Sequence, residues 1–95
     1  MDLDYFIKKL SAIPEDQWCT KEPTDAQGRH DVWGHLGEVT LDTPTDEAKA
    51  LYILVGKHGS LTQANDGVNG YVGSNPKERV LNFLNAIKEK NDENE

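Results

Sequence analysis

The strongest constraint on the fold is the segment that begins at residue 75, because it combines a helix start with a helix face. Asn75 stands where an N-cap is expected, Pro76 occupies the first helical position, and Glu78 gives a spacing like that of a capping box. The apolar residues that follow recur at helical spacing and are Val80, Leu81, Phe83, Leu84 and Ile87. The pattern predicts an amphipathic helix over residues 76–89.

Two further segments carry the same kind of pattern. Near the N-terminus a stripe of apolar residues ends before Pro14, which predicts a helix over residues 3–12. Thr43 as N-cap and Pro44 as the first helical residue predict another helix over residues 45–55, which Gly56 ends. The expected buried stripe of this helix is Ala48, Leu51, Tyr52, Leu54 and Val55.

The chain between these helices is less regular. Residues 14–29 have no helical spacing, so they predict an irregular arm that Trp18 anchors. Asp31 as N-cap then favours a short helix over residues 32–39. This helix contains two glycines, each of which costs about 1 kcal/mol relative to alanine, so it needs tertiary packing to form.

A glycine-rich segment covers residues 58–73. Its turn signals, Asn65-Asp66-Gly67 and Asn69-Gly70, allow a minor β-hairpin. Their side-chain oxygens are of the kind that bind calcium, but the ligand order of a calcium-binding loop is absent. We therefore interpret them as turns in which Asn and Asp side chains bond to nearby backbone amides.

The small apolar content makes this patterning decisive. Leu, Ile, Val and Phe account for 21 of 95 residues, close to the fraction of about 20% below which a charged chain is expected to be disordered. The four helical segments predict a mainly α, compact single domain over residues 1–90, with a small α+β fold as the variant if the hairpin forms. Residues 91–95 are expected to be a disordered acidic tail. Trp18 and Trp33 should be buried.

Charge narrows the class of partner. Ten Lys and Arg against seventeen Asp and Glu leave a net charge of −7, which argues against direct binding of nucleic acid. Four acids without a compensating base lie within residues 38–48, and they are Glu38, Asp42, Asp46 and Glu47. This segment is expected to form an acidic face that suits a basic partner.

The remaining composition favours the cytoplasm. No stretch approaches the roughly 18 apolar residues of a membrane span, and the N-terminal residues lack the profile of a secretion signal. The single cysteine, Cys19, cannot form an internal disulfide, which suits a reducing compartment. We expect neither a membrane nor a cofactor to be bound.

A metal site or a cysteine-dependent active site is the alternative to a binding protein. The candidate residues are Cys19, His30, His35 and His58. On one helix His30 and His35 would lie roughly 140° apart, so they converge only if His30 lies in the loop before the helix. The spacing matches no common zinc motif, and nothing flanking Cys19 indicates a nucleophile. We therefore predict no metal ligands and no catalytic residues.

Several short motifs together resemble a group of small uncharacterised bacterial and phage proteins. They are Trp18-Cys19, the small-residue helix at Val32–Gly37, Asn65-Asp66, and the capped helix that starts Pro76-Lys77-Glu78-Arg79-Val80-Leu81. The resemblance extends over most of residues 3–88. It implies a compact, helix-rich single domain and implies no activity.

These observations predict a small acidic, non-catalytic binding or regulatory protein that contacts another protein. A specific version is a phage or mobile-element inhibitor of a host nucleic-acid-binding protein, in which acids take the place of phosphates. The residues expected to contact the partner are Glu38, Asp42, Asp46, Glu47, Asn69 and Tyr71. Self-association into a homo-oligomer is a further alternative, because a small core gains stability from a partner.

Overall fold

The computed structural model describes residues 2–22, 24–37, 45–56, 58–68 and 70–93, and within them the chain is mainly helical. This confirms the predicted fold class. The elements in chain order are α1 (Leu3–Ser11), a short 3-10 turn (Glu15–Gln17), α2 (Val32–His35), α3 (Asp46–Val55), α4 (His58–Asp66) and α5 (Pro76–Glu93). In these residues β pairing is limited to isolated bridges from His30 to Trp18 and to Thr24.

Side-chain caps start the helices for the expected reason. The Oδ1 atom of Asp31 accepts a hydrogen bond from Gly34 N at 2.7 Å, and Asn75 Oδ1 accepts one from Glu78 N at 2.8 Å. Each cap satisfies a backbone donor that the first helical turn leaves without a partner. The predicted starts of α2 and α5 are therefore confirmed.

The N-cap of α3 is different from the predicted one. Thr45 caps this helix, and its Oγ1 atom accepts a hydrogen bond from Ala48 N at 3.2 Å. The same hydroxyl donates to the carbonyl oxygen of Leu36 at 2.7 Å, which joins α3 to the end of α2. Thr43 and Pro44, the predicted start, lie outside the described residues. Gly56 ends the helix with a φ of 80°, as expected.

The segment 58–66 is a helix, so the hairpin allowed for residues 58–73 is wrong over this part. Buried Leu61, Ala64 and Asn65 lie on one helical face. The turn signal at residues 65–67 ends the helix instead of forming a hairpin, because Gly67 takes a φ of 80° and its N–H bonds to Gln63 O at 2.9 Å.

Two helix lengths also differ from prediction. α2 ends at His35, since Leu36 and Gly37 form a turn with a φ of 87° at the glycine. α5 continues to Glu93, beyond the predicted end at residue 89 and into the first residues of the expected tail. Nothing in this polar sequence breaks a helix there, because it lacks both glycine and proline.

The core forms where the four longer helices meet. α5 packs on α1 and α4, and α3 packs on the same two helices. Trp18 and Trp33 are each 3% exposed, which confirms that both belong to the core. The core residues are Leu3, Phe6, Leu10, Trp18, Val32, Trp33, Leu36, Ala48, Leu51, Leu61, Val80 and Leu84. None of the helices in the described ranges is long and apolar enough to cross a membrane.

Candidate functional site

Three of the six predicted contact residues, Glu38, Asp42 and Asn69, lie outside the described residues. Asp46 is exposed at the start of α3, as an acidic contact surface would require.

The carboxylate of Glu47 forms an ion pair within the molecule. Its Oε2 atom lies 2.5 Å from Lys9 Nζ of α1, and this hydrogen bond raises the pKa of Lys9. Because its charge is compensated by Lys9, Glu47 contributes little to an acidic face. One of the four acids within residues 38–48 is therefore compensated. The compensating charge comes from α1, which packs on α3, so it could not be found within the segment itself.

Tyr71 acts as an anchor. Its ring meets the ring of Phe83 on α5 edge to face, with centroids 5.6 Å apart, and the side chain is half-buried. This contact holds the segment between α4 and α5, which we call the valine loop, residues 67–73 without Asn69. Tyr71, which the sequence predicted to contact a partner, therefore holds this loop against α5.

Arg79 of α5 bonds to the end of α4 and packs against the valine loop. Its Nε and Nη2 atoms donate to the carbonyl oxygens of Ala64 and Asn65, both at 2.9 Å, and so satisfy the C-terminal end of α4. Gly67 and Gly73 lie against the same arginine. A Cβ atom at Gly73 would come within 2.7 Å of Arg79 N, and one at Gly67 within 2.9 Å of Arg79 Cζ.

The loop presents two apolar side chains to solvent. Val72 is 76% exposed and Val68 is 46% exposed. The carbonyl oxygen of Val72 accepts a hydrogen bond from Asn82 Nδ2 at 3.0 Å, and Val68 N donates to Gln63 O at 3.1 Å. The two valines therefore project from a backbone that is bonded to both neighbouring helices.

Sequence reasoning did not single out these two valines. Both lie among glycines without helical or alternating spacing, so no periodic signal distinguishes a buried valine from an exposed one there. The glycine-rich stretch 67–73 does predict a contact loop, but through Asn69 and Tyr71 and not through the valines.

The Asn65-Asp66 pair joins three parts of the chain. The buried Asn65 accepts a hydrogen bond from Val32 N at 3.0 Å through Oδ1, and its Nδ2 donates to Cys19 O at 3.0 Å. Asp66 Oδ1 accepts a hydrogen bond from Lys21 N at 2.7 Å. The predicted bonding of these side chains to nearby backbone amides in a local turn is therefore wrong for this pair, because their partners lie 33 to 46 positions away along the chain.

Two of the three candidate histidines approach each other, and the side chain of the third, His58, lies outside the described part of the chain. His30 lies before α2, which is the condition for convergence, and its ring centroid is 5.3 Å from that of His35. Trp18 lies on His35 with a centroid distance of 4.7 Å. Burial, helped by the neighbouring His30, lowers the pKa of His35. Within the described residues no three potential metal ligands are grouped, so we identify neither histidine as a metal ligand.

Cys19 has the environment of an unreactive thiol. Its Sγ–H lies 3.2 Å from the Glu22 carbonyl oxygen and 3.4 Å from that of Arg29. Burial, with a smaller contribution from nearby carboxylates such as Asp25, raises the pKa of the thiol. A nucleophilic cysteine needs the opposite shift, because the thiolate is the reactive form.

An open groove of about 440 Å³ lies beside Cys19, between the arm and the start of α5 at Pro76. Its charged lining includes Asp25 and Arg29, which pair with each other at 2.6 Å. Because these two charges neutralise each other, the groove by itself indicates no class of ligand.

Comparison with models of protein families, with curated proteins and with solved structures finds nothing that matches this chain.

Proposed function

We propose that this protein is a small, non-catalytic binding domain and that it contacts a protein partner through the valine loop. The proposal rests on one observation: Val68 and Val72 are exposed, while their backbone is hydrogen-bonded to α4 and α5. A loop already held in one conformation loses little conformational entropy on binding, so its apolar contacts contribute more of their energy to affinity.

The partner that suits the rest of the surface is a basic protein. The chain carries a net charge of −7, and Asp46 is exposed on α3. Acidic surfaces raise the association rate of basic partners and disfavour acidic ones. A nucleic-acid-binding protein, whose basic groove normally receives phosphates, is the version we propose, with the cytoplasm as the compartment, and inhibition by a phage or mobile-element protein would be its biological context.

The alternative, an enzyme or metal protein built on Cys19, His30 and His35, has less support. The raised pKa of Cys19 keeps its thiol protonated at neutral pH, and the hydrogen bonds of the thiol go to backbone carbonyls. Of the two histidines, His35 has its ring against that of Trp18.

The proposal is tested by comparing two variants of the immobilised domain in a pull-down from the native host. Val72→Asp places a charge at the centre of the proposed surface. Ile53→Asp is the matched control, because Ile53 on α3 is equally exposed at 75% and the variant introduces the same charge. We expect one basic protein to bind the wild-type chain and the control, and to bind Val72→Asp about tenfold more weakly.

Two further measurements complete the test. Binding of the captured protein should weaken when salt is raised from about 0.1 M to about 1 M, since salt screens exposed charges. Equal capture by Val72→Asp and the wild-type chain would refute the valine loop as the contact surface. A partner bound equally well at both salt concentrations would refute the basic class. Sedimentation of the wild-type chain over a hundredfold concentration range separates self-association from binding to another protein, because only self-association raises the apparent mass.

A further inference from the structure

A cluster of three rings connects the arm to α2. In the structure the arm predicted over residues 14–29 extends by one residue to His30, and Pro23 lies outside the described residues. The arm supplies Trp18 and His30, whose ring centroids lie 4.7 and 5.3 Å from that of His35. His35 is the last residue of α2, so its ring lies where the arm meets the end of this helix.

The surroundings of the His35 ring favour its neutral form. Its Nε2 atom is buried and has no hydrogen-bond partner among the described residues. A neutral imidazole carries an N–H donor on one nitrogen only, whereas a protonated ring carries N–H donors on both. A second proton on this ring would therefore place a charge and an unsatisfied donor against two aromatic rings, and both are costly in a buried position.

Among the described residues, the groups that act on the protonation of His35 include no carboxylate to offset that charge. On the arm, the titratable group that acts on His35 is His30, whose own charge would repel it. The backbone carbonyls of Gln17 and His30 favour the protonated ring, but burial outweighs them. From α4, two of the described side chains bond to α2, and both are neutral: Thr62 bonds to Trp33, and Asn65 bonds to Val32. On α2 itself, Asp31 bonds to the backbone as the N-cap.

We propose that this cluster is an acid-sensitive latch, which holds the arm on α2 while His35 is neutral and releases it when His35 takes up a proton. The release is local. Helices α1, α3, α4 and α5 pack on one another through contacts that exclude His35. The bonds from Asn65 to Cys19 and from Asp66 to Lys21 also exclude it, so they serve as the hinge about which the rest of the arm moves. This inference is independent of the valine loop.

The two indole N–H groups report on the latch separately in a pH titration by NMR. Trp18 Nε1 lies 3.4 Å from the carbonyl oxygen of Ile13, and Trp33 Nε1 donates to Thr62 Oγ1 at 2.8 Å. We expect the Trp18 resonance to shift with a midpoint below pH 6.5, the ordinary histidine value, while the Trp33 resonance keeps its position. The ring protons of His35 should titrate with the same midpoint as Trp18.

Two variants identify the group responsible. His35→Phe keeps a ring in the cluster but cannot be protonated, so it should remove the acid shift of Trp18. His58→Gln is the matched control, since it removes a histidine from another helix and should leave the shift unchanged. The latch is refuted if Trp18 titrates equally in His35→Phe, or if Trp33 shifts with the same midpoint, which would mean global unfolding. If His35→Phe does not fold, the wild-type titration still decides, because a His35 pKa of 6.5 or higher contradicts the proposal.

Discussion

At the scale of single residues, close approach between backbone and side chain determines where glycine is required. Gly73 has a φ of 143°, and a Cβ atom there would lie 2.7 Å from the backbone nitrogen of Arg79. Arg79 cannot withdraw easily, because its guanidinium group bonds to the last carbonyls of α4. The space that Gly73 leaves is therefore what allows the valine loop to lie on α5.

We expect Gly73→Ala to lower the free energy of unfolding by about 2–3 kcal/mol, since it combines backbone strain with a steric overlap. Gly70→Ala is the matched control in the same loop: its φ of 75° is also positive, but nothing lies within 4 Å of the added carbon. This control should cost about 1 kcal/mol. Urea denaturation of both variants checks the difference, and equal losses would contradict the role assigned to Arg79.

At the scale of helices, one ion pair ties α1 to α3 and another ties α1 to α5. Lys9 lies 2.5 Å from Glu47 with both side chains about one third exposed. Lys88 lies 2.5 Å from Asp4, but here the side chains are 42% and 64% exposed. Since solvent screening increases with exposure, only the first pair is expected to stabilise the packing measurably.

Lys9→Gln should therefore lower the free energy of unfolding by about 0.5–1 kcal/mol at pH 7, and Lys88→Gln, the control, by less than about 0.5 kcal/mol. The pKa of Lys9 is raised above its usual 10.5 by Glu47, so the stabilisation is present in full below pH 10.5 and is lost as pH rises through the raised value. Urea denaturation at pH 7 in low and high salt measures it. A larger loss for Lys88→Gln would reverse this order.

The helices also show where local sequence signals succeed and fail. Asp31 and Asn75 could be identified as N-caps from sequence, because a cap depends on residues three positions apart. The sequence allows a minor hairpin within residues 58–73, because Asn-Asp-Gly occurs both in turns and at the ends of helices, whereas residues 58–66 form a helix. Tyr52 was expected in the buried stripe of α3, yet it is 46% exposed, since only α1 and α4 decide which face of α3 is covered.

At the scale of the whole molecule, the chain is as compact as one domain of this length should be. Its radius of gyration is 12.5 Å, against about 12 Å for a folded chain of 95 residues. The arm is attached to this body by the bonds of the Asn65-Asp66 pair and by the cluster of three rings, Trp18, His30 and His35. The contact of these rings depends on the protonation of His35 and therefore on pH.

Acid should therefore destabilise the molecule through His35. The folded state holds its pKa below the usual 6.5, so the unfolded chain binds more protons between these two values. Stability is greatest above pH 6.5 and falls as pH is lowered from 6.5 towards the lowered pKa. Urea denaturation at pH 7.5, 6.5 and 5.5 checks this against His35→Phe, in which the decline should be smaller. An identical decline in the variant would assign it to other groups.

The mainly helical class, three of the four longer helices and the caps at Asp31 and Asn75 could be predicted from the sequence, and so could the burial of both tryptophans. The helices and caps depend on residues within one or two helical turns of each other, and the burial follows from the large apolar rings of tryptophan. The packing of distant segments is what makes Lys9 neutralise Glu47, brings Asn65 to Cys19 and Val32, and leaves Val72 facing solvent. Each of these depends on which segments of the chain meet in space, and no local spacing encodes a contact between residues 33 to 46 positions apart.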